Sequence, residues 1–432
     1  MRLAPRLAAI VLPSALLAPG LRPVAGSPPP APSAAALSAE QALARRQLAD
    51  LHAAPGGERL AFTVTEPPSG ERPSRHVWVL DLKTRAARQF TSSPKSEWHA
   101  RWSPAGGWLA FLSNRGEHTE LWRLATDGGE AVRVADLKAD VAGFEWAPDG
   151  KRLAVLAPEP KPEAEEKREK DKDDARLVDL DERPPCLWLV EAESGKARQL
   201  TAPPWRVSEV HWAPGGDRLF AVATDRPEVN RWTERIFALD AATGRMEAIA
   251  APGGPIGSFL VSPDGRSLAY AGARLDGPVP HDLYFQPSGG GAARNLTAAG
   301  IDRMIERFEF RDGSHLVALA AAGFGSRLYT LDTLKPAAAG PAGIEAGPEL
   351  PAVADFTLLP GGGLAVVAER ITEPAEVWLA GKPGDQEAAW RAAGIDGFIF
   401  AGCDAIEANA ALLRALGGLP SPLAGEGVIA KQ

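Results

Sequence analysis

The sequence predicts an all-β fold, a seven-bladed β-propeller with four-stranded blades and a short α/β C-terminal tail. Three observations predict it: a turn signature copied seven times, a separate series of seven apolar–aromatic pairs, and a spacing between those pairs that is regular except at one charged insertion. Composition agrees, because 44 Gly, 39 Pro and 12 Trp among 432 residues suit many turns joining short aromatic-bearing strands better than long helices.

The turn copies are Ala54-Pro55-Gly56-Gly57, Trp102-Ser103-Pro104-Ala105-Gly106, Trp146-Ala147-Pro148-Asp149-Gly150, Trp212-Ala213-Pro214-Gly215-Gly216, Val261-Ser262-Pro263-Asp264-Gly265, Phe310-Arg311-Asp312-Gly313 and Leu359-Pro360-Gly361-Gly362. Pro fixes φ at the first corner, Asp bonds backbone two residues on, and Gly accepts the positive φ that closes the turn. An apolar strand follows each, such as Leu109-Ala110-Phe111 or Leu268-Ala269-Tyr270. The paired register is Val77-Trp78, Leu121-Trp122, Leu187-Trp188, Ile236-Phe237, Leu283-Tyr284, Leu328-Tyr329 and Val377-Trp378, where a third strand of each unit would run. Successive aromatics are 44, 66, 49, 47, 45 and 49 residues apart, so the one long step, Trp122 to Trp188, holds an insertion. Polar turns such as Asp127-Gly128-Gly129 and Ser194-Gly195-Lys196 precede a fourth strand, which completes a blade. Trp102, Trp146 and Trp212 recur at one blade position and are read as packing residues.

The period places the propeller at residues 42–384, with a charged loop insertion at 158–184 whose densest part, Lys161 to Asp174, is almost free of apolar residues. Arg2 and Arg6 precede an apolar run from Leu7 to Leu17, so residues 1–26 read as an export signal and 27–41 as a proline-rich linker. Pro13 and Pro19 break that run short of the roughly 20 residues of a spanning helix. The expected location is periplasmic or secreted, with no membrane association after signal removal. A net charge of -8 argues against nucleic-acid binding.

The Trp-Ser/Ala-Pro-Asp/Gly-Gly copies resemble the repeats of TolB-type proteins and of the prolyl oligopeptidase family of serine peptidases. Two features favour the dipeptidyl and acylaminoacyl peptidase branch: the insertion with Asp173-Asp174-Ala175-Arg176-Leu177-Val178, and the closing phrases Ala197-Arg198-Gln199-Leu200-Thr201 and Ala293-Arg294-Asn295-Leu296-Thr297. The resemblance covers about residues 42–384. It implies a propeller that covers the active site of an α/β-hydrolase domain and admits short or unstructured peptides. It also implies peptides as partners, passing through the propeller when a hydrolase is attached.

The residues themselves offer no catalytic machinery. A nucleophile elbow needs G-x-S-x-G on a strand-to-helix turn, and no copy occurs in the 432 residues. Gly265-Arg266-Ser267-Leu268-Ala269 comes nearest but belongs to a blade turn that leads into a strand. His52, His76, His99, His118, His211, His281 and His315 are scattered singly, without paired ligand spacing. Gly289-Gly290-Gly291 lacks the Lys-Ser/Thr of a phosphate cradle. Cys186 and Cys403 suggest neither a disulfide framework nor a metal site. No catalytic, cofactor-binding or metal-ligating residue is therefore expected, and no cofactor. A reaction in the central channel would need convergent acids, histidines or ligands at equivalent blade positions, and none stands out along the chain.

Residues 385–417 read as a helix–strand–helix tail and 418–432 as disordered. The tail is similar to the closing unit of the cobalamin-binding domain of methylmalonyl-CoA mutase-type proteins, but lacks the D-x-H-x-x-G motif that supplies the cobalt ligand. The composition shift after Gly384 suggests a truncated or fused reading frame, with blade seven one strand short unless Phe398 to Phe400 supplies it. The expected function is a non-catalytic, substrate-gating propeller of an exported prolyl-oligopeptidase-like peptidase. The alternative is a TolB-like periplasmic scaffold that binds a protein partner.

Overall fold

A computed structural model describes residues 45–67, 73–172, 183–274, 279–335, 343–370 and 373–380. The stretches read from sequence as an export signal, a linker and a C-terminal tail lie outside the described residues, as do Cys403 and Asp173–Val178. Within them the chain forms seven antiparallel sheets around a common axis. Blade one is β1 (Gln47–Ala53), β2 (Arg59–Thr65), β3 (Arg75–Asp81) and β4 (Ala87–Gln89), hydrogen-bonded in sequence order. Blades two to six repeat that four-stranded order. Blade seven has three described strands, Ala352–Leu358, Leu364–Arg370 and Glu373–Ala380. The strand expected from Phe398 to Phe400 falls outside the described residues.

Both sequence registers land where the blade logic puts them. Each turn copy joins the innermost strand of a blade to its second strand, and each apolar–aromatic pair lies on the third. In the blade-three copy Gly150 sits at φ 66° and its N–H donates to Ala147 O at 2.9 Å; in blade five Gly265 sits at φ 71° and donates to Ser262 O at 2.8 Å. Those left-handed conformations explain why Gly ends the signature. Blade six departs from it: Gly313 is not in that region, and Asp312 Oδ1 instead accepts the Ser314 and His315 N–H groups at 2.8 and 2.9 Å.

One hydrophobic cluster fills each junction between neighbouring blades. Leu109, Phe111 and Trp102 of blade two pack on Ala61, Val77 and Val79 of blade one. Phe62, Leu51 and Leu80 of blade one meet Ala365, Val367 and Val377 of blade seven, which closes the ring by side-chain packing. Leu51 N–H also donates to the Asp355 carboxylate across that junction at 2.8 Å. Phe62, Phe111, Phe220, Phe259 and Phe356 are fully buried, each contributing about 1.5–3 kcal/mol by removal from water.

The closing phrases acquire a structural reason. Thr91, Thr201 and Thr297 each place their hydroxyl 2.9–3.0 Å from a third-strand N–H, of Val77, Leu187 and Leu283 respectively. Each hydroxyl therefore satisfies a backbone donor beyond the short fourth strand.

The charged insertion differs from the polar loop read from sequence. Glu163–Lys170 forms a helix, α1, with Glu163, Glu165 and Glu166 in its first turn and Lys167, Arg168 and Lys170 in its last. That order complements the helix dipole and aligns Glu163 with Lys167 and Glu166 with Lys170 at i,i+4. Arg183 pins it through two bonds to Glu165, 2.8 and 3.1 Å.

Candidate functional site

The seven innermost strands wall a central cavity of about 1080 Å³. An innermost strand has one edge without a neighbouring strand, so its N–H and C=O groups need other partners. In three blades the side chain at the end of the innermost strand, just ahead of the turn copy's aromatic or its apolar counterpart, supplies an acceptor. His52 Nδ1 accepts the Trp102 N–H at 3.3 Å, Glu145 accepts the Trp212 N–H at 3.3 Å, and Glu309 accepts the Leu358 N–H at 2.8 Å. In return the Trp102, Trp146 and Trp212 indoles donate to the carbonyls of His52, Arg101 and Glu145, at 3.0, 3.2 and 3.4 Å. Those Trp side chains are buried against the neighbouring blade, as their recurrence predicts.

Five inner strands carry a bulge or irregularity, at Ala49/His52, Trp98/Arg101, Val207/Glu209, Ile305/Arg307 and Val353/Asp355. Bulges re-aim side chains, and here charged residues follow them into the cavity. Asp50 and His99 sit within such irregularities at φ 62° and 56°, sparsely populated for residues with a Cβ.

The result is three charged groups. Arg101 Nη1 meets Asp50 Oδ1 at 2.7 Å, joining blades two and one. Arg307 of blade six reaches Glu309 at 3.1 Å and Asp355 of blade seven at 2.6 Å. His211 of blade four lies with Nδ1 2.8 Å from Glu145 of blade three and Nε2 3.2 Å from Glu209. Burial opposes a charge on His211, but the two carboxylates outweigh it and push its pKa up to about 10. Burial and the Arg101 guanidinium act the other way on His99, pulled down to about 4, and on His52, held well below its ordinary value. The cavity thus holds one imidazolium and two neutral imidazoles at neutral pH.

Histidines that look unrelated along the chain are therefore brought together, with acids and arginines, at equivalent blade positions. Sequence reading found no such set because the position is occupied by His52, Arg101, Glu145, His211, Leu260, Glu309 and Thr357, one role filled by several residue types. The usable signal was the residue preceding the aromatic, or the apolar residue aligned with it, at the start of each turn copy. His76 and His281 lie elsewhere, 2.9 Å from buried Glu97 and 2.8 Å from buried Asp282. Cys186 is buried and unbridged, and burial raises its thiol pKa. Among the described residues no three His, Cys, Asp or Glu side chains group so as to hold a metal ion, and no helix is long and apolar enough to cross a membrane. A second hollow, of about 770 Å³, lies over blades two and three between Lys95, Trp122, Lys138 and the insertion's Lys161 and Glu166.

No protein-family model matches the chain. It is similar to the uncharacterized peptidase YuxL of Bacillus subtilis (strain 168), 32% identical over 122 residues, which are 28% of this chain and 18% of that protein. Its fold is similar to an acylaminoacyl peptidase of Pyrococcus horikoshii, with a TM-score of 0.59 at 16% identity, over 79% of this chain and 52% of that one. It is also similar to the propeller domain of the Trilobed protease from Pyrococcus furiosus, described as having an open velcro topology: TM-score 0.53, 16% identity, 78% of this chain and 95% of that domain. The chain thus spans about half the length of the acylaminoacyl peptidase and a smaller share of the curated relative. The resemblance to peptidase propellers read from the repeats is borne out at the level of fold.

Proposed function

We propose that this propeller gates substrate for a serine peptidase of the prolyl oligopeptidase type and is non-catalytic by itself. The observation that carries the reading is the central cavity: seven inner strands wall a cavity of about 1080 Å³ lined by apolar and charged side chains, and blade-to-blade hydrogen bonds tie its wall together. A cavity of that volume has room for an extended peptide segment and none for a folded domain, which is how a propeller would restrict a peptidase to short or unstructured chains. Similarity to peptidase propellers supports the assignment.

The test is binding without turnover. Purified full-length protein should bind fluorescein-labelled peptides of about ten residues, and a folded protein of the same charge should not compete. Hydrolysis of aminoacyl or prolyl chromogenic substrates by the same preparation would overturn the non-catalytic part. Export forms part of the proposal, supported by Arg2, Arg6 and the apolar run after them. Amino-terminal sequencing of the secreted or periplasmic product should find a start near Ser27; an intact Met1 would refute export.

A further inference from the structure

The charges in the cavity do not cancel. Glu145 and Glu209 share a single imidazolium, His211, and so keep a surplus negative charge. Glu306 lines the cavity from blade six, is exposed, and makes no ion pair among the described residues. Asp50 and Arg101 form a one-to-one ion pair and leave no excess of either sign. Arg307 faces two acids, Glu309 and Asp355, and Arg206, which also lines the cavity, lies 4.0 Å from the buried Glu234, so neither guanidinium adds a positive excess. Low-dielectric walls around a surplus of one sign focus the field along a cleft and concentrate counter-ions there.

We infer that the cavity selects among peptides by charge, preferring segments that carry Lys or Arg side chains over neutral or acidic ones. The inference rests on the gating reading and specifies its substrate class.

The experiment uses three labelled peptides of one length, acetylated and amidated so that no terminal charge contributes, with Lys, Gln or Glu at two central positions. Fluorescence anisotropy with the full chain at about 20 mM salt should rank them Lys, Gln, Glu, with a spread of about tenfold between the extremes. At about 500 mM salt the spread should shrink below about twofold, because the screening length falls to a few ångströms. Glu306→Lys changes an exposed side chain and should reduce or reverse the preference; Glu306→Gln should give an intermediate result. Equal binding of all three peptides, or an unchanged preference in Glu306→Lys, overturns the charge selection and leaves gating intact. Failure of every peptide to bind overturns the gating reading and this inference with it.

Discussion

Replacing His211 by Gln removes the one cation between Glu145 and Glu209 while keeping the side chain's size and a hydrogen-bonding end. A rise from an ordinary 6.5 to about 10 corresponds to about 5 kcal/mol of favourable interaction with the charged form. The side chain keeps 24% of its exposure, and solvent screening lowers that to about 3 kcal/mol. The lost partner leaves two carboxylates facing each other across the junction of blades three and four, the costly way to break an ion pair. For a propeller of this size about 3 kcal/mol is a fall of about 4 °C in Tm. The pH dependence tests the cause. A group whose pKa is raised on folding stabilises fully below its unfolded value and loses that contribution as pH rises through the folded one. The gap between wild type and Gln variant, measured by denaturant unfolding, should therefore be widest near pH 6 and close as pH approaches 10. A gap that stays constant from pH 6 to 10 would refute the ion-pair reasoning and leave packing as the cause. Adding Glu209→Gln to the variant should recover part of the loss.

Three further perturbations probe the scaffold. Trp146→Ala should cost about 3–5 kcal/mol in denaturant unfolding, because it empties a blade junction and removes the indole bond to the Arg101 carbonyl; Trp146→Phe should cost less. Gly244→Ala should lower stability by about 1–3 kcal/mol, since φ is 75° there and an added Cβ would lie 2.6 Å from the Leu200 carbonyl oxygen; a neutral result would mean the blade contact yields. Asp282 is fully buried. Burial would raise its pKa, but Arg274, Asn295 and His281 outweigh that and hold it at about 2. Its contribution, about 2 kcal/mol, is present above pH 4 and lost as pH falls toward 2, so Asp282→Asn should flatten acid unfolding over that window.

Blade number, blade boundaries and the packing role of the recurrent Trp residues were legible along the chain because each depends on local chemistry repeated in register. A Pro-Asp-Gly turn needs its residue types wherever it occurs, and an aromatic at a fixed blade position always meets the same kind of neighbour. The helix in the insertion escaped notice because its signal is charge order rather than an apolar face, and a polar helix looks like a polar loop when only hydrophobicity is read.

Sequence by itself determined the sevenfold repeat, its strand order and the absence of a nucleophile elbow from these residues. Only the tertiary structure decided what surrounds the axis. Asp50, Arg101, Glu145, His211, Arg307 and Asp355 come from six blades and share no spacing that marks them as a set. They meet because ring closure turns the unpaired edges of all inner strands toward one passage. Any side chain able to satisfy a backbone N–H or a neighbouring charge can serve there, so the residue type varies while the position is fixed.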